Sequence, residues 1–261
     1  MINRNTYDGD LEEIEAIKHI NANKILYNDN YFLQLNLNIE NSFVVRVTSN
    51  HFSKLSKKIV KTRADAYAIT NCSKHLISFI NNNKYVDENI LSTYKDEYDT
   101  VPKSGLSIKL SDSKKYQILK LTPNSFQTLF SNFELGAGAS LFCKRDTELY
   151  KNETLLSGWY TNSTKMKKYF KELYLSDNFL QNKQECQKIK SFSEKKIYDL
   201  ILKHIDLQQK IFNGAGLYNE PYTAYYFYQD KNITQLNFID FCITTGSGRS
   251  RGDYTIVLKP K

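Results

Sequence analysis

The stretch Arg63-Ala64-Asp65-Ala66-Tyr67-Ala68-Ile69 places one carboxylate among small and apolar residues. This composition predicts a short strand over residues 64–70, and the strand anchors the interpretation of the whole chain. Burying an uncompensated polar group costs roughly 2 to 7 kcal/mol, so Asp65 needs a partner. The partner is either a neighbouring basic residue or a bound cation, and the residues alone leave both roles open.

A second strand is predicted over residues 106–110, and it contains the triplet Ser107-Ile108-Lys109. Alternation in a strand puts Ser107 and Lys109 on one face and Ile108 on the other. A lysine there can stabilise negative charge or lower the pKa of an attacking water, and a serine can hold a metal-bound water. An ordinary edge-strand lysine is the alternative, so the triplet has meaning only beside Asp65.

The surrounding elements predict an α+β fold, because the order is helix, small sheet, helices and terminal sheet. The predicted helices cover residues 8–23, 124–133, 137–144, 164–174 and 185–212. The other predicted strands are a pair within 31–48, then 116–121, 222–228, 236–244 and 254–258. Without a repeat or a Pro/Gly/Ser linker, one domain over 1–261 is expected, divided into segments 1–135, 136–215 and 216–261.

Composition narrows the class of protein. The hydrophobic fraction of 41% excludes disorder, and the formal net charge of +8 suits a polyanionic partner. Four widely spaced cysteines form no CxxC pair, which argues against a standard zinc site. No 18-residue apolar run occurs. We therefore expect no membrane partner and a cytoplasmic protein with reduced thiols.

Several basic and polar residues are candidates for contact with nucleic acid. Arginine forks can read guanine edges, and serine can bind phosphates. The alternatives are a solvated basic loop before Asp65 and a plain hairpin turn near the C-terminus. The predicted DNA contacts are Lys61, Arg63, Lys114, Arg249, Ser250 and Arg251.

Acidic residues open the first predicted helix, in Gly9-Asp10-Leu11-Glu12-Glu13. Such a carboxylate can reach the site of Asp65 and help to hold a cation. Glu12, Glu13 and Glu15 are all candidates, and each can instead simply complement the helix dipole.

Taken together, these segments resemble type II restriction endonucleases of the PD-(D/E)XK nuclease superfamily. The resemblance is carried by Gly9-x-x-x-Glu13, by Lys61-Thr62-Arg63-Ala64-Asp65-Ala66 and by Ser107-Ile108-Lys109. It implies a restriction-endonuclease-like core, in which helices flank a central mixed sheet, with a C-terminal β-rich recognition region. Two positions depart from the family pattern: Ala64 stands in place of proline, and Ser107 in place of an acidic residue.

The resemblance also implies roles for these residues. Asp65 would ligate Mg²⁺ directly, with the main-chain carbonyl of Ile108 as a further ligand and Ser107 acting through water. Lys109 would orient or activate the attacking water, and Glu13 would support the metal or Lys109. The implied reaction is sequence-specific hydrolysis of double-stranded DNA that leaves 5′-phosphate ends. A cognate DNA methyltransferase would protect the host, and palindromic targets favour a homodimer.

Three other functions fit the same residues. A non-catalytic nucleic-acid-binding protein requires only the positive charge and the arginine-bearing loop. A repair-type nuclease of the same fold would cleave without a fixed site. An enzyme acting on a phosphorylated small molecule could line its pocket with the aromatic stretch at residues 222–228.

Overall fold

The computed structural model describes residues 4–48, 63–109, 116–217, 223–245 and 255–261. The helices in these ranges are α1 (Arg4–Ala22), α2 (Lys74–Asn83), α3 (Glu88–Leu91), α4 (Pro123–Phe130), α5 (Phe133–Ser140), α6 (Asn152–Gly158), α7 (Ser163–Tyr169), α8 (Lys183–Lys203) and α9 (Ile205–Phe212). The strands are β1 (Phe43–Arg46), β2 (Ala66–Thr70), β3 (Asp99–Thr100), β4 (Gly105–Ile108), β5 (Leu119–Leu121), β6 (Ala224–Gln229), β7 (Asn232–Gln235), β8 (Phe241–Thr245) and β9 (Ile256–Pro260).

The chain divides into two compact units. The first unit comprises Met1–Lys114 and Phe212–Phe238, and the second comprises Lys115–Ile211 and Ile239–Lys261. Each unit contains its own sheet. The single domain expected from the sequence stays a prediction, and the boundaries of the two units differ from those of the three predicted segments.

The first unit is built on a six-stranded sheet with the order β1-β2-β4-β6-β7, and β3 also pairs with β2. Neighbouring strands are antiparallel except for β4 and β6, which are parallel. The sheet is therefore mixed, and helices flank it. This confirms the predicted α+β fold with a mixed sheet.

Alternating residues of the central strands cover the two faces of this sheet. Val44, Ala66, Ala68, Leu106 and Ile108 belong to one buried cluster, which also contains Ala16, Ile17 and Ile20 of α1. Phe43, Val45, Tyr67 and Ile69 belong to the other cluster, which includes Leu76 and Ile80 of α2. Side chains alternate between the two faces of a strand, so Ile108 and α1 lie on the same face of the sheet.

The first half of the strand pair predicted within residues 31–48 is wrong. Residues 24–35 form successive 3₁₀ and π turns, and only β1 is extended. Tyr31 and Phe32 are adjacent in sequence and both fully buried. A strand would direct these two side chains to opposite faces, whereas helical turns allow both to enter the same core.

The helix predicted over residues 185–212 is two helices. His204 has an extended backbone, with φ −120° and ψ 103°, and it separates α8 from α9. The side-chain amide of Gln208 donates hydrogen bonds to the carbonyls of Ile201 and Leu202, at 3.0 and 3.1 Å. These bonds occupy carbonyls that the end of α8 leaves without helical partners.

The Gly136-Ala137-Gly138-Ala139 stretch lies inside α5, which spans Phe133–Ser140 rather than the predicted residues 137–144. Asn132 caps α5 by accepting a hydrogen bond from the Leu135 amide at 2.7 Å, so the helix starts earlier than predicted. A Cβ atom on Gly136 would lie 2.1 Å from the ring of Trp159. The glycines therefore allow close packing within the second unit.

The strands after residue 216 do not form one region. β6 and β7 join the six-stranded sheet, because β6 pairs with β4. β8 and β9 form a separate three-stranded sheet with β5 in the order β5-β9-β8. None of the described helices is long and apolar enough to cross a membrane.

Glu88 is a buried carboxylate in the first unit, only 2% exposed. It accepts a hydrogen bond from the Thr48 amide at 2.8 Å and another from the side chain of Tyr67. Burial outweighs these bonds and raises the pKa of Glu88 from 4.5 to about 7.

The buried Glu88 makes the stability of the protein depend on pH. Between pH 4.5 and about 7 the folded chain retains the Glu88 proton and the unfolded chain releases it, so the free energy of unfolding falls as pH rises. The free energy of unfolding of Glu88→Gln should not show this dependence. From pH 4.5 to about 7, we expect the wild type to lose roughly 3 kcal/mol of unfolding free energy relative to Glu88→Gln. Urea denaturation of both proteins at several pH values measures this difference, and parallel pH curves would contradict it.

Candidate functional site

Asp65 lies immediately before β2, between two neighbouring strands. Its amide donates a hydrogen bond to the Leu106 carbonyl at 2.8 Å, and its carbonyl accepts one from the Val47 amide at 3.0 Å. The preceding residue, Ala64, is fully buried. The main chain therefore fixes Asp65 beside β4, one residue before the start of β2.

The carboxylate of Asp65 is directed toward the Ser-x-Lys strand. Its Oδ2 accepts a hydrogen bond from the Ile108 amide at 2.7 Å and a longer one from Ser107 Oγ at 3.5 Å. The structure thus brings Asp65 and Ser107 together although 42 positions separate them in sequence. The hydrogen bond from the Ile108 amide also gives Asp65 a structural role, because it links the start of β2 to β4.

Lys109 follows β4 directly. Its amide donates a hydrogen bond to the Tyr228 carbonyl of β6 at 2.9 Å. The residue lines a cleft of about 560 Å³ in the first unit. The remaining lining residues are Glu12, Glu15, Ala16, His19, Ile108, Tyr228, Asp230 and Lys231.

Glu13 reaches the site from α1. Burial and the nearby charge of Asp65 raise the pKa of Glu13 from 4.5 to about 7. The charge of Asp65 thus acts on Glu13, whereas Glu12 and Glu15 line the cleft beside Lys109. This distinguishes the three glutamates that the sequence left equivalent.

Arg46 is the last residue of β1, and its guanidinium forms ion pairs with Glu13 and Asp10 of α1. Its Nε and Nη2 donate to Glu13 Oε2 at 2.9 and 2.7 Å, and Nη2 also donates to Asp10 Oδ1 at 2.6 Å. Sequence reasoning missed Arg46. The available signal was a charged residue that ends the apolar strand Phe43-Val44-Val45.

The oxygen atoms near Asp65 are of the kind that hard divalent cations prefer. Asp65 and Glu13 supply carboxylates, and the Ile108 carbonyl points to the same side as the Ile108 amide, since both groups of a strand residue face one neighbour. Oxygen ligands of this kind suit Mg²⁺. Within the described ranges, no group of three or more acidic, histidine or cysteine side chains is placed to hold a metal.

Most of the predicted DNA contacts are not among the residues that the structure describes. Lys61, Lys114, Arg249, Ser250 and Arg251 lie outside the described residues. Arg63 is half-buried, and its Nη2 donates a hydrogen bond to the Phe212 carbonyl at 3.0 Å. All six DNA contacts stay predictions.

Comparisons with known proteins do not assign this chain to a family. No protein-family model and no curated protein matches the chain.

Proposed function

We propose that the chain is a Mg²⁺-dependent endonuclease acting on double-stranded DNA, of the type II restriction kind within the PD-(D/E)XK superfamily. One observation carries the proposal: the Asp65 carboxylate accepts hydrogen bonds from the Ile108 amide and from Ser107 Oγ of the adjacent strand, and its charge acts on Glu13 of α1. The three sequence segments behind the resemblance therefore converge in one unit. The mixed sheet flanked by helices supports the restriction-endonuclease-like core.

The chemistry follows from the residue types at this site. Asp65, Glu13 and the Ile108 carbonyl would hold Mg²⁺, and Ser107 would bind it through water. When bound, such an ion polarises the phosphoryl oxygen and lowers the pKa of a coordinated water. Lys109 orients the attacking water and balances the negative charge that develops at the scissile phosphate. In-line attack leaves a 5′-phosphate and a 3′-hydroxyl.

As part of this proposal, a cognate methyltransferase protects the host DNA and the nuclease acts as a homodimer on a palindromic site. The net charge of +8 supports a polyanionic substrate.

Lys109→Ala tests the proposal, with purified protein, unmethylated phage DNA, and either Mg²⁺ or EDTA. We expect discrete fragments from the wild type with Mg²⁺, none with EDTA, and a loss of about a hundredfold or more in the variant. Lys103→Ala is the matched control, because Lys103 is an exposed lysine of the same unit that does not line the Lys109 cleft. DNA binding without cutting by any of these proteins would contradict the nuclease proposal.

A non-catalytic DNA-binding protein is the second candidate. Ser107 in place of an acid and the ion pair of Glu13 with Arg46 both favour it, since they reduce the charge available to a cation. This function predicts binding that is the same in the wild type and in Lys109→Ala under Mg²⁺ or EDTA.

A further inference from the structure

The turn between β6 and β7 has an uncommon backbone. Asp230 and Lys231 both have positive φ, 51° and 56°. Two-residue hairpin turns with positive φ at both positions favour Asn-Gly or Asp-Gly, because a Cβ atom is disfavoured in the left-handed region. Lys231 therefore occupies a position whose backbone conformation disfavours a residue with a Cβ atom.

The turn is anchored beside the cleft that Lys109 lines. The Tyr27 hydroxyl lies 2.8 Å from His19 Nδ1 and 3.4 Å from the Lys231 carbonyl. Tyr27 is 2% exposed and belongs to the core cluster that contains Tyr228. The Lys231 side chain thus leaves the backbone from a fixed point on the rim of the cleft.

The cleft carries charges of both signs, and its two lysines are the groups that can bind a phosphate. Lys109 and Lys231 are the lysines among its lining residues, and its carboxylates come from Glu12, Glu15 and Asp230. Burial lowers the pKa of His19, and the positive charge of Lys231 lowers it further. The charge of Lys231 is therefore felt by another residue that lines the cleft. A DNA strand whose scissile phosphate meets Lys109 would bring a neighbouring phosphate to the same cleft.

We propose that Lys231 binds a second phosphate of the DNA strand, adjacent to the phosphate that Lys109 faces. This inference rests on the proposed nuclease function and adds a substrate-positioning residue on the β6–β7 turn. The ligand is the sugar–phosphate backbone, so the contact strengthens binding without selecting a base sequence.

Equilibrium binding tests this role apart from cleavage. Fluorescence anisotropy follows a labelled DNA duplex in EDTA, over a series of salt concentrations, with Lys231→Asn and Lys231→Arg. Asparagine tolerates positive φ and so keeps the turn, and arginine keeps the charge. We expect Lys231→Asn to weaken binding by about fivefold at low salt and to reduce the slope of log K against log salt by about 0.9, and Lys231→Arg to retain both.

Lys84→Asn is the matched control. Lys84 is an exposed lysine of the same unit with φ 56°, and it caps α2 rather than lining the cleft. Its substitution should leave the salt slope unchanged. If Lys231→Asn binds like the wild type while the wild type cleaves DNA, the inference is overturned and the nuclease proposal stands. A wild type that neither binds nor cleaves DNA would overturn both.

Discussion

Replacing Asp65 with asparagine should reduce Mg²⁺-dependent DNA cleavage by about a hundredfold or more, with the fold retained. Even partners in the outer shell of a metal site change activity by about 10- to 100-fold, and Asp65 would be a direct ligand. The side-chain oxygen of asparagine can still accept the Ile108 amide hydrogen bond, which is 2.7 Å long in the wild type. The substitution therefore removes the charge and keeps the link between β2 and β4.

Asp65→Ala is the companion variant, because it removes the hydrogen bond as well as the charge. We expect both variants to lose cleavage, but only Asp65→Ala to lose stability, by about 1 to 3 kcal/mol for the unpaired Ile108 amide. Titration calorimetry with Mn²⁺ gives a readout independent of cleavage, and both variants should bind the ion more weakly than the wild type. An Asp65→Asn protein that cuts DNA at the wild-type rate would show that Asp65 is not a metal ligand.

The elements that sequence predicted best are those with local signals. The small and apolar residues around Asp65 predicted a strand over 64–70, and β2 covers Ala66–Thr70. The helix predicted over 124–133 is α4, which begins at Pro123 after the Thr122 cap. The 31–35 stretch was predicted wrongly because its apolar residues fit a strand period about as well as buried helical turns. Only the long-range core around Tyr31 and Phe32 decides between the two.

The site was predictable only in part, because its contacts join distant segments. The positions of Asp65 and the Ser107 strand could be proposed from residue types and the family resemblance. The contact of Arg46 with Glu13 depends on how β1 packs on α1, across 33 positions of sequence. The Lys231 turn reaches the cleft because β6 pairs in parallel with β4, and no local pattern encodes that pairing.

The same β4–β6 pairing should make Gly105→Ala strongly destabilising. A Cβ atom on Gly105 would lie 1.7 Å from the Thr223 carbonyl oxygen and 3.1 Å from the Ala64 Cβ. The nearest atoms belong to backbone, which cannot rotate away as a side chain can. Overpacking a tight site costs about 1 to 3 kcal/mol, and we expect this contact to reach the upper end of that range.

Denaturation by urea measures this loss, and Gly9→Ala is the matched control. Gly9 lies in α1 with nothing within 4 Å of an added Cβ, so alanine there should stabilise the helix by about 0.5 to 1 kcal/mol. The same glycine-to-alanine substitution should thus lower the free energy of unfolding at Gly105 and raise it at Gly9. Because Ser107 and Ile108 follow Gly105 on β4, the shift of this strand should also weaken cleavage under conditions where the variant is folded. Equal stability of the two variants would show that β4 and β6 do not approach each other this closely.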